Sequence, residues 1–309
     1  MTKVFIDGSA GTTGLRIAER LSQREDIELI RLSEDKRKDP IARQEAIQNA
    51  DIVFLCLPDA AAIEAVELAK DSKAKIIDTS TAHRVSEGWT YGFPELKGQR
   101  EKIKNSTRIA NPGCHASGFI ALVAPLTQSG MICKDALISC FSLTGYSGGG
   151  KKMIAEYEDE NRSSLLKAPR QYALTQQHKH LKEMAHLCGL ENMPVFCPIV
   201  GDFYSGMEVT VSLFAKDAKG SIEDIRKLYA DYYTDGLVFV DDSEDETGML
   251  SANRYSGRDD MCISVHGNDE RIILTARFDN LGKGASGAAI QNMNILLGID
   301  EKHGLCVND

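Results

Sequence analysis

The stretch KVFIDGSAGTTGLRIAERL, residues 3–21, decides the fold. A short apolar run ends at Asp7. Glycines follow at positions 8, 11 and 14, and apolar residues at helical spacing come next. Strand, glycine-rich turn and helix in that order form a phosphate-binding signature. The glycines let the backbone approach a pyrophosphate, and the helix N-terminus turns free N–H groups and a partial positive charge toward it. The spacing is G-x-x-G-x-x-G rather than G-x-G-x-x-G, so the weight falls on where the loop sits, directly after the first strand. Gly8, Ser9, Gly11, Thr12, Thr13 and Gly14 are the expected cofactor contacts, the hydroxyls acting as donors.

Working outward, strand and helix patterns alternate. DIELIRL (26–32) reads as a second strand and DPIARQEAIQNA (39–50) as a short helix. DIVFLCLP (51–58) is apolar throughout, as a strand covered on both faces should be. DAAAIEAVELAKDS (59–72) reads as a helix with Asp59 as its cap, and AKIIDTS (74–80) as a fourth strand. This rhythm predicts a parallel Rossmann-type sheet with right-handed crossovers. The second strand, taken to end at Leu32, puts Ser33 where an acid would hold the ribose 2′-hydroxyl of NAD. Lys36, Arg37 and Lys38 nearby favour NADP(H), whereas Glu34 and Asp35 pull the other way.

The second half has longer, more alternating strands, DALISCFSLTGYSGGG (135–150), VFCPIVGDFYSGMEVTVSLFAK (195–216) and DMCISVHGNDERIILTARFDN (260–280), the last shaped as a hairpin around HGNDER. Helical patterns KKMIAEYEDENRSSL (151–165) and SIEDIRKLYADYYTDG (221–236) lie between them. The fold class expected is α/β: the Rossmann-type nucleotide domain plus an α+β domain on a mostly antiparallel sheet. With 309 residues, two domains are the default. A net charge of -9 argues against nucleic acid or an anionic membrane as partner. MTKVFIDG reads as a strand rather than a signal peptide, and no apolar run approaches the ~18 residues of a membrane span, so a cytoplasmic protein is expected. The eight cysteines then stay reduced, and none stands in a C-x-x-C pair. DDSEDE (241–246) reads as a solvated acidic loop.

Cys114 stands apart from the other seven. In RIANPGCHASGFIAL (108–122), Pro112 and Gly113 break a strand and a helix begins at the cysteine. A helix N-terminus stabilises the thiolate, the species that attacks carbonyl carbon. Such a nucleophile needs an acid/base partner. His180 in QQHKHLKEMAHL is preferred, with His178 close behind; on a helix, His180 would share a face with Glu183 and Met184 and His178 would not. H-x-H without further ligands at metal spacing gives no metal site. His115 is read as structural. Arg84, after the fourth strand, lies at the edge where parallel sheets bind ligands and is a candidate for an anion. Ser147, Gly148 and Gly149 in SLTGYSGGGKK form a turn able to line phosphate or nicotinamide, or merely to cap a helix.

GSAGTTG, YGFPEL, IANPGC, TGYSGGGK, QHKHLKE and DNLGKGASGAAIQNMN occur in this order between residues 6 and 298. Together they resemble the shorter form of the N-acetyl-gamma-glutamyl-phosphate reductases, in the aspartate-semialdehyde dehydrogenase superfamily. The resemblance implies NADPH-dependent reduction of N-acetyl-L-glutamyl 5-phosphate to the 5-semialdehyde in arginine biosynthesis, with Cys114 forming a thioacyl intermediate. It puts Arg84, Asn111 and Ser147 near substrate phosphate and Asn280 at the nicotinamide end. It divides the chain into a nucleotide domain, 1–113 plus 286–309, and a catalytic and oligomerisation domain, 114–285, and implies a homodimer or homotetramer. This chain has ANPGCHASG where the longer form has ANPGCYPT, and HKHLKE lacks a proline. The competing readings are a reductase of aspartyl or aminoadipyl phosphate, a cofactor-free cysteine acyl hydrolase, and an inert nucleotide-sensing protein.

Overall fold

The computed structural model describes residues 1–307. The chain forms two compact units: Met1–Pro94 with Gly98–Pro112 and Ala285–Leu305, and Glu95–Lys97 with Gly113–Gly284 and 306–307.

The first unit is built on a six-stranded sheet, β1 (Thr2–Asp7), β2 (Ile27–Ile30), β3 (Ile52–Leu55), β4 (Lys75–Asp78), β5 (Thr90–Tyr91) and β6 (Arg108–Ala110). The spatial order is β2-β1-β3-β4-β6-β5, and every pairing is parallel. Helices α1 (Thr12–Leu21), α2 (Pro40–Gln48), α3 (Asp59–Leu68) and α4 (Gln99–Lys104) make the crossovers. β3 is buried at all four positions, which is why its sequence does not alternate. β2 ends at Ile30, two residues earlier than expected, because Ile30 is the last residue to pair, opposite Phe5 of β1. Asp59 does not cap α3. Pro58 holds that position, and the Asp59 carboxylate instead accepts from the backbone N–H and hydroxyl of Thr81, tying the β4 exit loop to the start of α3.

The second unit opens with α5 (Cys114–Gln128), in which every residue from His115 to Thr127 is buried. A helix apolar on all sides belongs inside a core. Pro125 cannot donate to the carbonyl of Ala121, which would orphan a buried acceptor. The Tyr233 hydroxyl donates to that carbonyl at 2.7 Å, and the Tyr229 hydroxyl donates to Leu122 O at 2.6 Å.

The sheet of this unit contains β7 (Ser139–Gly145), β8 (Arg170–Gln171), β9 (Val195–Gly201), β10 (Met207–Phe214), β11 (Val238–Val240), β12 (Met261–Gly267) and β13 (Arg271–Phe278), in the order β11-β12-β13-β10-β7-β9-β8. Four pairings are antiparallel and two, β7 with β9 and β11 with β12, are parallel, so the sheet is mostly antiparallel and the HGNDER hairpin is present. The remaining helices are α6 (Gly150–Glu158), α7 (Leu181–Cys188) and α8 (Ile222–Tyr232), the last closed by a reciprocal Ser221–Asp224 capping box. The chain then returns to the first unit as α9 (Gly287–Leu297), whose Ile290, Met293, Ile295 and Leu296 enter the core with Val4, Phe54, Ile77 and Ile109. Among the described residues, no helix is long and apolar enough to cross a membrane.

Candidate active site

The glycine-rich loop of the first unit is shaped by contact. Gly8 has φ +88, and a Cβ there would lie 2.3 Å from the carbonyl oxygen of Cys56, so only glycine passes. α1 starts after Gly11 with no side-chain cap and no acid in its first turn, which keeps its N-terminal N–H groups and positive end available to an anion. A cavity of about 570 Å³ is lined by Gly8, Ser9 and Ala10 and also by Arg31, Arg37 and Lys38. Size and donors suit the adenosine half of a dinucleotide. Ser33 does not line this cavity; its hydroxyl holds the Asp35 carboxyl below the usual carboxylate range. The first residue past the end of β2 is Arg31, which sequence reasoning missed because it ran the strand to Leu32. Beneath the loop, Asp7 and Arg43 form a buried pair at 2.9 Å, and Arg43 also reaches Glu64 at 2.7 Å.

Arg84 and Asn111 are brought together in the same unit. Arg84 is buried and donates from Nε to Asn111 O at 3.0 Å and from a terminal nitrogen to Thr79 O at 3.2 Å. Asn111 donates to Ala285 O at 3.0 Å and accepts from Asn292 at 3.3 Å. Asp78 organises the loop around Arg84 by accepting from the Ser80 hydroxyl at 2.7 Å and meeting His83 Nδ1 at 2.6 Å, with the His83 ring stacked on Trp89.

In the second unit, Cys114 is the first residue of α5, capped by Gly113, and is partly exposed. Gly284 faces it: a Cβ on Gly284 would lie 2.9 Å from the Cys114 Cβ, so glycine leaves the space beside the thiol. Three other thiols are poor nucleophiles. Burial pushes Cys56 up to about 12, and raises Cys140 and Cys188 as well.

His178 and His180 do not ride on a helix. α7 begins at Leu181 with His180 as its N-cap, and the preceding segment brings both rings together with centroids 4.6 Å apart. The turn there depends on Ala173 and Gln176, both at positive φ, and on the Gln176 side chain. That amide mimics a strand, donating to Phe196 O at 2.7 Å and accepting from Phe196 N at 2.8 Å. Helical spacing holds for His180, whose carbonyl accepts from Met184 N and whose ring lies near Glu183, but not for His178, whose ring packs against that of His180 instead of facing away. His115 belongs to the same cluster, its ring 5.7 Å from His178 and 5.6 Å from His180.

Glu183, weighed in the sequence only as a helix-face neighbour, is buried. One carboxylate oxygen accepts from Gly113 N at 3.2 Å, and the other lies 4.0 Å from His180 Nε2. An acid in the first turn of α7, three residues after its N-cap, was the available signal. Asn280 accepts from Gly206 N at 2.9 Å and donates to the Ser147 hydroxyl at 3.0 Å, bringing the TGYSGGG turn and the DNLGKG segment together. Gly148 lies against Asn280, whereas Gly149 packs on Met153.

Residues 3–106 match the semialdehyde dehydrogenase NAD-binding domain family and residues 114–280 the semialdehyde dehydrogenase dimerisation domain family. These matches assign a nicotinamide cofactor to the chain and an oligomerising role to its second half. The N-acetyl-gamma-glutamyl-phosphate reductase 2 of a Nostoc species is 45% identical, with 98% of this chain and 99% of the relative covered. The N-acetyl-gamma-glutamyl-phosphate reductase of Sinorhizobium medicae is 43% identical over 96% of this chain and 98% of its own. Among solved structures, aspartate semialdehyde dehydrogenase II of Vibrio cholerae superposes with a TM-score of 0.73 at 17% identity, covering 96% of this chain and 98% of its own. Aspartate semialdehyde dehydrogenase of Candida albicans, solved with NADP, gives 0.64 at 16%, covering 96% and 98%. These two share the fold. The near full-length identity to the reductases shows that the chain belongs to the N-acetyl-gamma-glutamyl-phosphate reductase family.

Proposed function

We propose that this protein reduces N-acetyl-L-glutamyl 5-phosphate to N-acetyl-L-glutamate 5-semialdehyde with NADPH, releasing phosphate, as a step of arginine biosynthesis. The observation that carries the reading is Cys114 at the N-terminus of a buried helix, with Glu183 linking the peptide before it to His180. The Cys114 thiol passes its proton to His180 or His178, and the thiolate attacks the acyl carbon. The acyl–phosphate bond breaks, phosphate leaves and a thioester joins the acyl group to Sγ. When bound, NADPH supplies the hydride. The C–S bond then breaks, the aldehyde forms and the thiolate returns; one proton is taken up overall and ends on phosphate. Arg84 and Asn111 are assigned to the substrate phosphate with Ser147. Gly8, Ser9, Gly11, Thr12, Thr13 and Gly14 are assigned to the pyrophosphate, and Gly148, Gly149 and Asn280 to the nicotinamide end.

NADP over NAD is favoured by Arg31, Arg37 and Lys38 along the 570 Å³ cavity, which suit a 2′-phosphate. The assigned domains are 1–113 with 286–309 for nucleotide and 114–285 for catalysis and oligomerisation, as a homodimer or homotetramer.

The test is the reverse reaction, N-acetylglutamate semialdehyde with NADP and phosphate, run beside the aspartate analogue. Phosphate-dependent NADPH formation with the acetylated substrate is expected. Cys114→Ser should lower it by more than about 10³-fold and leave NADPH binding intact. Activity on the aspartate analogue alone overturns the substrate.

A further inference from the structure

We propose that the Tyr172 hydroxyl is a catalytic hydrogen-bond donor to the acyl oxygen on Cys114, oriented by His115. The inference rests on the thioacyl chemistry proposed above. It starts from His115, which follows the nucleophile directly and whose ring is clamped at both nitrogens. Nδ1 lies 2.6 Å from Ser142 Oγ and Nε2 lies 2.7 Å from Tyr172 Oη. Burial, aided by the neighbouring His178, pushes His115 down to about 3, so the ring is neutral at working pH, with one donor and one acceptor nitrogen.

The two partners decide which is which. Ser142 is completely buried on β7, and among the described residues His115 is the one partner of its hydroxyl. An unmade donor there would carry the full desolvation penalty, so Ser142 donates to Nδ1. Nε2 therefore bears the hydrogen and donates to the Tyr172 oxygen. The Tyr172 proton is left to point at a different acceptor, and Tyr172 is only partly buried. Its backbone is pinned as well, Tyr172 N donating to Pro198 O at 3.0 Å.

Tyr172 belongs to the cluster around the nucleophile: its hydroxyl meets His115, the residue next to Cys114, at 2.7 Å, and its ring lies 6.0 Å from His178. Burial raises its pKa, so the phenol stays protonated at neutral pH. The α5 N-terminus already offers its N–H groups to the thiolate. The acyl oxygen is the atom still in need of a donor. It turns negative when the thiolate adds and again when hydride adds, and a preorganised neutral donor acts on that charge in both steps. His115 is the positioning residue.

Tyr172→Phe keeps the ring and removes the hydroxyl. The expected result is a fall in kcat of about 10²-fold with KM nearly unchanged. Alkylation of Cys114 by iodoacetamide, measured without substrate or cofactor, should proceed at the wild-type rate. An unchanged kcat overturns the proposal, and so does alkylation that falls in step with kcat, which would place the hydroxyl on the thiol. His115→Gln should lower kcat in the same direction, and the double variant should lose no more than Tyr172→Phe alone; additive losses overturn the positioning role. The ratio of variant to wild type is taken on whichever acyl phosphate the wild-type enzyme turns over, so an error in the substrate is distinguishable from an error here. Failure to turn over any acyl phosphate overturns both readings.

Discussion

Glu183 shows how much one buried carboxylate organises. Its two oxygens face the peptide N–H that precedes the nucleophile and the imidazole proposed as base, so the three groups share one reference point. His115 shows the complementary case of a base kept uncharged. Its folded pKa, about 3, lies below its unfolded value near 6.5. The unfolded chain therefore binds the proton first, and stability is lost as pH falls from about 6.5 toward 3. Unfolding free energies measured across that window should decline more steeply for the wild type than for His115→Gln; parallel curves would show that the ring is not held neutral. Cys114 and the histidine pair stood out in the sequence as candidates, because nucleophile and base types are few and their context was distinctive. Tyr172 was not, since nothing in its neighbourhood of the chain separates it from the other eight tyrosines.

At the scale of elements, the end of β2 decides which side chain follows the strand into the cavity beside the glycine loop. The strand stops at Ile30, and Arg31 joins Arg37 and Lys38 along the cavity. Arg31→Asp should therefore raise the apparent Kd for NADPH by roughly 10- to 100-fold, from loss of a charge-assisted contact worth about 1.5–3 kcal/mol, and leave NADH nearly untouched. Fluorescence titration with both cofactors reads this, and an equal loss for both would remove Arg31 from the 2′-phosphate. The misplaced strand end has a simple cause. Leu32 continues the apolar pattern, but pairing with β1 runs out first, and register across a sheet is invisible in one strand's composition. His178 was misplaced for a related reason. The residues before His180 have helix-compatible types, but Ala173 and Gln176 stand at positive φ and the Gln176 side chain bonds to Phe196 of β9.

At the scale of the molecule, the first unit is completed by a helix that arrives from the far end of the chain. Ile290, Met293, Ile295 and Leu296 bury themselves with Val4, Phe54, Ile77 and Ile109. At about 1.5–3 kcal/mol for each fully buried side chain, the four contribute roughly 6–12 kcal/mol, comparable to the whole stability of a domain. A chain ending at Gly284 should leave the six-stranded sheet unfolded. Hydrogen exchange would show it as lost protection at Val4–Ile6, and retained protection would mean that α9 is dispensable.

The sequence by itself determined the parallel sheet, the glycine loop and the mostly antiparallel second sheet, and it singled out Cys114 as the candidate nucleophile. Those follow from local periodicity and from residue types with narrow chemistry. Only the tertiary structure decided the end of β2, the turn that presents His178 and His180, the bridging position of Glu183, and the clamp of His115 between Ser142 and Tyr172. Each of these depends on a partner far away in the chain, and pairing between distant residues leaves no periodic trace in the residues themselves.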